Sequence, residues 1–295
     1  MSLTIKPINL SRPDFGGLAT GVSIADGVCA EDAAAIEDAM DVYGVLVFPD
    51  QVIDDEQQYR FSTHFGPMET ATGDIAATND RRLSMDINDI SNLSKDGDVL
   101  ARDDRRRLFG LGNMLWHSDS SFKPTPSKFS LLSARVIPDS GGNTEFADMR
   151  AAWDALDPQL QNDCMGKVCE HSQIYSRGML GFEDFTDEER KRWAPVQQRL
   201  VRRHPRTGRL SLYLASHIGT VIGWPVPEAR MFIRDLVEHA TQRQFVYAHQ
   251  WQQWDLVMWD NRVAMHRARR YDHKQPRDMH RTTVADRAPT LEQAL

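Results

Sequence analysis

Membrane-length hydrophobic runs are missing from this chain: nothing approaches the roughly 18 apolar residues of a span, and stretches such as Val45-Leu46-Val47-Phe48 have the length of a buried strand. Cysteine is scarce. Cys29, Cys164 and Cys169 make an odd count without the paired spacing of a zinc or redox motif, so free buried thiols in a reducing compartment are expected. The opening Met1-Ser2-Leu3-Thr4-Ile5-Lys6 lacks a basic segment followed by an apolar one, which argues against secretion and for a cytoplasmic protein. Positive charge is in deficit: the net charge of -7 argues against nucleic acid as the main partner, because phosphate binding needs a basic surface. Arg105-Arg106-Arg107 and Arg202-Arg203 then read as solvated faces or loops. No repeat period and no low-complexity tract is visible, which excludes a solenoid.

What the chain does contain is enough apolar material for a full core: 295 residues, 41% hydrophobic and 26% charged. Short strands dominate the pattern. They are expected at Thr4–Ile8, Val45–Phe48, Leu83–Ile90, Lys128–Pro138, Arg209–Leu214, Gln244–His249, Asp255–Trp259 and Arg281–Ala285. Helical spacing appears over 30–42, after the acidic turn Asp54-Asp55-Glu56, after Asp148, and most clearly over Pro227–Thr241, which begins on proline. Many strands with few helices predict a mainly β fold with flanking helices. No linker divides it, so residues 1–295 are expected to form a single domain. The polar, turn-rich stretches near 68–112 and 170–200 are expected to be inserted lid segments.

The chemistry starts at Leu115-Trp116-His117-Ser118-Asp119. On an extended backbone, residues two apart face the same way, so the His117 imidazole and the Asp119 carboxylate can share one metal ion. A second His from elsewhere completes a 2-His-1-carboxylate facial triad, which leaves half of an octahedral ferrous ion open. His266 is the best placed of the ten histidines, following the strand Leu256–Trp259 and the turn Asp260-Asn261-Arg262. Arg267, Arg269, Arg270, Arg277 and Arg281 come after it, and arginines beside such a site suit anionic co-substrates.

Taken together, Trp116-His117-Ser118-Asp119, Gly141-Gly142-Asn143-Thr144-Glu145-Phe146, Trp259-Asp260-Asn261-Arg262 and His266-Arg267 with the later arginines resemble the taurine dioxygenase family of Fe(II)/2-oxoglutarate enzymes. The likeness runs from about Val45 to Thr283 and is nearest to the 2,4-dichlorophenoxyacetate dioxygenase branch. The resemblance implies a double-stranded β-helix, or jelly roll, sheltering the site between two sheets. It also implies iron ligation by His117, Asp119 and His266, with 2-oxoglutarate held by Thr144 and by Arg277, and a third contact from Asn113. Arg281 matches the arginine that binds the anionic group of the primary substrate, and His204 and His217 lie toward the substrate side.

The implied activity is oxidative decarboxylation of 2-oxoglutarate with O2, coupled to hydroxylation of a small anionic substrate. With an aryloxyacetate, attack beside the ether oxygen gives a hemiacetal that collapses to a phenol and glyoxylate. Alkylsulfonates of the taurine type are the competing substrates. From other classes, a non-catalytic metal- or ligand-binding jelly roll is opposed by the open triad, since structural metal sites are closed by protein ligands. A nucleic-acid demethylase is opposed by the acidic balance. His64, His171, His239 and His280 read as structural or surface histidines, and Trp116 and Trp259 as core packing. The resemblance further implies an assembly of identical subunits.

Overall fold

The computed structural model describes residues 2–71, 75 and 80–295. Its largest sheet, among the described residues, has seven strands in the order Thr4–Pro7, Gly17–Thr20, Val45–Phe48, Leu256–Asp260, Ser127–Val136, Asp278–Ala285 and Asn88–Asp89. All neighbours run antiparallel except Gly17–Thr20 against Val45–Phe48. The central strands are buried on both faces, which explains why Val45–Phe48 and Leu256–Asp260 read as apolar runs without alternation.

Facing this sheet is a second one in which Thr144–Asp148 lies between Val246–His249 and Ala264–Ala268. Phe146, Trp259 and Val257 fill the space between the two, and an isolated bridge joins His117 to His266 beside them. Helices cover the outside: Ala30–Tyr43 and Asp55–Thr63 back the large sheet, and Val226–Ala240 backs the smaller ones. This is the jelly-roll core expected from the sequence.

Most elements fall where the pattern puts them, with ends shifted by a residue or two. Val226–Ala240 and Ala30–Tyr43 are examples. Two differences have physical causes. Leu83–Ile90 pairs only at Asn88–Asp89, because that strand lies at the sheet edge and the polar residues before it turn away. Cys29 is exposed rather than buried: its sulfur accepts from the Asp32 amide and caps a helix, while Cys164 and Cys169 are buried and their thiols are pushed up to about 12 by burial.

The stretch 68–112 contains the helix Arg105–Gly110, and part of it (72–74 and 76–79) lies outside the described residues. Residues 170–200 carry more regular structure than their composition suggests. The helices Gln173–Gly178 and Asp187–Arg192 lie among them, and the strands Val168–His171 and Val196–Arg199 form a small sheet with Ile218–Val221.

One turn shows a strict glycine requirement. At Gly141 (φ 75°) an added Cβ would come 2.4 Å from the Arg270 carbonyl oxygen, so the chain passes there only without a side chain. Gly142 donates to that same oxygen at 3.0 Å, which ties the start of Thr144–Asp148 to the segment leading to Arg277.

The strand Asp278–Ala285 carries Arg281 on its cavity side and His280 on the other, where it meets the helix Asp55–Thr63. His280 bonds Asp55 through Nδ1 and Asp278 through Nε2 (3.1 Å), and Arg82 pairs with Asp278 and Asp89. Burial would lower the His280 pKa, but the two carboxylates outweigh it and raise it above the ordinary histidine range. Burial opposes Asp278 as well, yet His280 and Arg82 hold that carboxyl down at about 2.

A raised histidine stabilises the fold fully below its unfolded pKa of about 6.5 and loses the contribution as pH rises through the folded value. The depressed carboxyl contributes above about pH 4 and loses it as pH falls toward about 2. The cluster is therefore strongest between about pH 4 and 6.5. His280→Gln is expected to lower Tm more at pH 6 than at pH 9, each kcal/mol lost shifting Tm by about 2–4 °C. Equal penalties at the two pH values in thermal melts would contradict a charged His280.

Candidate active site

His117 and His266 meet as a cross-strand pair. The His117 amide donates to the His266 carbonyl at 3.0 Å and the His266 amide returns the bond at 2.8 Å, an isolated antiparallel bridge. Directly opposed residues project to the same face, and the two imidazole centroids lie 4.2 Å apart. His266 thus stands inside the strand Ala264–Ala268, opposite Phe146, rather than on a turn. His117 is the only bridged position of its motif, after which the chain turns through Ser120 at φ 52°. Asp119 comes back to the imidazoles all the same: its Oδ1 is 3.7 Å from His117 Nε2 and its Oδ2 is 3.8 Å from His266 Nε2. The three donor atoms lie within 4.8 Å of one another, and all three residues are buried.

The protonation pattern suits a divalent metal, whose ligands must be deprotonated. Burial lowers the pKa of both histidines and keeps them neutral. His117 Nδ1 lies 2.7 Å from the Leu115 carbonyl oxygen, an acceptor, so the ring proton sits on Nδ1 and Nε2 keeps its lone pair for the metal. For Asp119, burial would raise the pKa, but the Arg281 guanidinium, His266 and His117 overcome it and hold the carboxyl well below the usual carboxylate range. With one face formed by protein donors and a cavity on the other, the set fits an open ferrous site.

A second layer of contacts orients these ligands. Asn261 Oδ1 accepts from the Asp119 amide (3.0 Å) and from Trp259 Nε1 (3.1 Å), and its Nδ2 donates to Ser130 Oγ (2.9 Å). Ser130 in turn donates to Asp119 Oδ2 at 2.7 Å, and the Trp259 ring packs 4.6 Å from His266. Neither Ser130 nor the role of Asn261 was readable from sequence, because neither residue is near His117 along the chain. Asn261→Ala is expected to cut kcat/KM about 10- to 100-fold, the range for losing an outer partner of a metal ligand. Full activity at limiting Fe(II) would show that Asn261 does not orient Asp119.

A cavity of about 980 Å³ opens onto this face, lined by His117, Asp119, Asn113, His217, Arg277 and Arg281 together with residues of 80–115. Arg277 is buried; its Nη1 donates to the Ile90 carbonyl (3.3 Å), and no carboxylate pairs with it among the described residues. Arg281 also lines the cavity, and its Nη1 donates to Asp119 Oδ1 at 2.6 Å, so its partner is the carboxylate of the three-residue cluster.

Thr144 stands beside the cavity rather than in its wall: it is paired with Ala268, a lining residue, and its hydroxyl accepts from Trp251 Nε1 at 3.0 Å. His217 is fully buried, with Nδ1 3.0 Å from Ser176 Oγ and its ring edge-on to His117. His204 lies away from the cavity and faces Asp260 at 3.3 Å, so the structure gives it no contact with substrate. Among the described lining residues, eleven carry Arg or Lys side chains against four carboxylates, a strongly positive chamber in a protein of negative net charge.

The sequence profile described as "Taurine catabolism dioxygenase TauD, TfdA family" matches residues 7–283. The chain belongs to this TauD/TfdA dioxygenase family. It is 42% identical to the alpha-ketoglutarate-dependent 2,4-dichlorophenoxyacetate dioxygenase of Cupriavidus pinatubonensis, over 98% of this chain and 99% of that protein. It is 37% identical to the (S)-phenoxypropionate/alpha-ketoglutarate-dioxygenase of Sphingobium herbicidovorans, over 95% of each chain. The crystal structure of AAD-2 in complex with Mn(II) and N-oxalylglycine superposes with a TM-score of 0.95 at 55% identity, covering 98% of this chain and 100% of that one. The TauD/TfdA chain described here is accordingly an Fe(II)/2-oxoglutarate-dependent dioxygenase. Among the described residues no helix is long and apolar enough to cross a membrane.

Proposed function

We propose that this dioxygenase hydroxylates aryloxyalkanoates, with an aryloxyacetate such as 2,4-dichlorophenoxyacetate as the model substrate. The observation that carries the reading is the composition of one cavity. It joins His117 and Asp119 of the buried three-residue cluster to buried arginines and to an apolar wall that includes Phe109, Phe122 and Leu180. An aryl ring needs the apolar wall, a carboxylate needs an arginine, and taurine would leave the wall without a partner.

Bound Fe(II), with 2-oxoglutarate and O2, supplies the oxidant that removes hydrogen from a substrate C–H bond, releasing succinate and CO2. The chain's own task is positioning. His117, Asp119 and His266 would hold the Fe(II) ion, and Asn261 and Ser130 keep Asp119 aimed. Arg277, buried in the cavity wall without a carboxylate partner among the described residues, is the residue to receive the far carboxylate of 2-oxoglutarate, and Asn113 lines the same cavity. Trp259 and Phe146 pack behind His266 and exclude water there. Hydroxylation of the carbon beside the ether oxygen gives a hemiacetal, which collapses to a phenol and glyoxylate. The buried, free thiols Cys164 and Cys169 support a reducing cytoplasmic setting.

A panel of aryloxyacetates, aryloxypropionates and alkylsulfonates, assayed for succinate together with phenol or sulfite, tests the reading. One phenol per succinate is expected with the aryloxyacetates. Coupled turnover confined to taurine would overturn it.

A further inference from the structure

We propose that Asn92 sets the preference of this enzyme for a dicarboxylic 2-oxo acid, by fixing the turn that places Arg277. The inference deepens the reading of Arg277 given above and rests on it.

Asn92 is 5% exposed and lines the same cavity as Arg277. It prolongs the edge strand Asn88–Asp89. The Ile90 amide donates to the Met279 carbonyl at 2.9 Å, and the Asn92 amide donates to the Arg277 carbonyl at 3.2 Å. The Asn92 side chain then turns back onto the segment that leads to Arg277. Its Oδ1 accepts from the Arg277 amide at 2.8 Å, while Nδ2 donates to the carbonyls of His273 (3.0 Å) and Gln275 (2.9 Å). Both side-chain hydrogens and the side-chain oxygen are thus engaged with one turn.

That turn has little else on its inner side. Pro276 brings no N–H, and among the described residues no main-chain donor reaches the His273 or the Gln275 carbonyl. Its outer side is tied to the glycine turn at 141–142: Gln275 Oε1 accepts from the Asp139 amide at 2.7 Å, and the Gly142 amide donates to the Arg270 carbonyl at 3.0 Å. Asn92 holds the turn from the opposite side, where the segment runs into the strand Asp278–Ala285.

The Arg277 guanidinium follows its main chain closely. A Cβ at Gly142 would stand 3.6 Å from Arg277 Nε, Nη1 donates to the Ile90 carbonyl at 3.3 Å, and the Tyr271 ring lies 5.7 Å away. The two carboxylates of 2-oxoglutarate are joined by a short chain of fixed reach. The keto-acid end and the far carboxylate are held together only if Arg277 stands at the right distance from the metal donors. A misplacement of about 1 Å in such positioning costs roughly 100-fold. A 2-oxo acid without the far carboxylate makes no such demand. Asn92 is accordingly a positioning residue, acting through Arg277.

The test compares 2-oxoglutarate with 2-oxopentanoate, which has the same chain length and no far carboxylate, by anaerobic isothermal titration of Fe(II)-loaded enzyme. Asn92→Ala is expected to weaken 2-oxoglutarate roughly tenfold or more. Binding of 2-oxopentanoate, and kcat at saturating 2-oxoglutarate, should stay within about threefold. In an Arg277→Met background the same substitution should cost 2-oxoglutarate no more than about threefold, because two residues acting through one contact are not additive. Hydrogen exchange of the 273–277 amides, read without metal or co-substrate, should speed up in Asn92→Ala. Wild-type binding of 2-oxoglutarate, equal losses for the two 2-oxo acids, a loss that multiplies with Arg277→Met, or unchanged exchange each overturns the assignment. Should Asn92→Ala fail to fold, Asn92→Asp decides by the same ratio of the two acids, since it keeps the acceptor for the Arg277 amide and loses both donors. If Arg277→Met binds 2-oxoglutarate as wild type does, the reading of Arg277 falls and this inference with it. If Arg277→Met loses the co-substrate while Asn92→Ala keeps it, this inference falls alone.

Discussion

His117→Ala is expected to abolish turnover while leaving the protein folded. The loss should exceed the roughly 10- to 100-fold typical of removing an outer partner of a metal ligand, because His117 is one of the three donors that come together here among the described residues. Two consequences combine. One imidazole of the facial set is gone, and the metal keeps fewer protein bonds than an open ferrous site needs. The fold has little reason to fail, since the bridge between His117 and His266 is made by main-chain groups that alanine retains. The variant should show near-native circular dichroism, no coupled succinate release, and no weak visible absorption on anaerobic addition of Fe(II) and 2-oxoglutarate. Full activity in His117→Ala would refute the ligand assignment.

Arg277→Met should raise the KM for 2-oxoglutarate by roughly 30-fold or more, the cost of truncating one partner of a buried charged pair. Its guanidinium is fully buried and burial lowers its pKa, with no carboxylate beside it among the described residues. The Tyr271 ring, 5.7 Å away, is a weak partner for a full charge. The main chain at 277 is clipped on both sides: its amide donates to Asn92 Oδ1 (2.8 Å), and its carbonyl accepts from the Asn92 amide (3.2 Å). The side chain is held in place for a dianion to complete. Loss of a buried cation without a counter-ion should leave the ligand-free protein no less stable, so Arg277→Met is expected to melt no lower than wild type and to gain little Tm from added 2-oxoglutarate. An unchanged KM for 2-oxoglutarate would move that carboxylate to another arginine.

The two arginines of the 277–281 segment show how far sequence reading goes. Both line the cavity, as spacing on an extended segment suggests. Arg281 nonetheless pairs first with Asp119, and no spacing rule could say so, because the two residues lie on separate elements that only the sheet brings together. The same holds for Ser130, which reaches Asp119 from the neighbouring strand Ser127–Val136, and for Arg177 beneath Gly112. His266 is an intermediate case: its candidacy was visible, but its direct opposition to His117 is a matter of strand register.

The sequence by itself determined the strand-rich core, the donor types at His117, Asp119 and His266, and the glycine turn at 141–142. Each depends on local patterning: apolar runs, side-chain chemistry, or a backbone that admits no Cβ. Tertiary structure alone decided which charges neutralise one another. Pairing energies depend on distance and on removal from water, and both are properties of the packed chain. That is why Arg281 is tied to Asp119 while Arg177 and Arg277 stand buried without a carboxylate among the described residues, both lining the cavity beside His117 and Asp119.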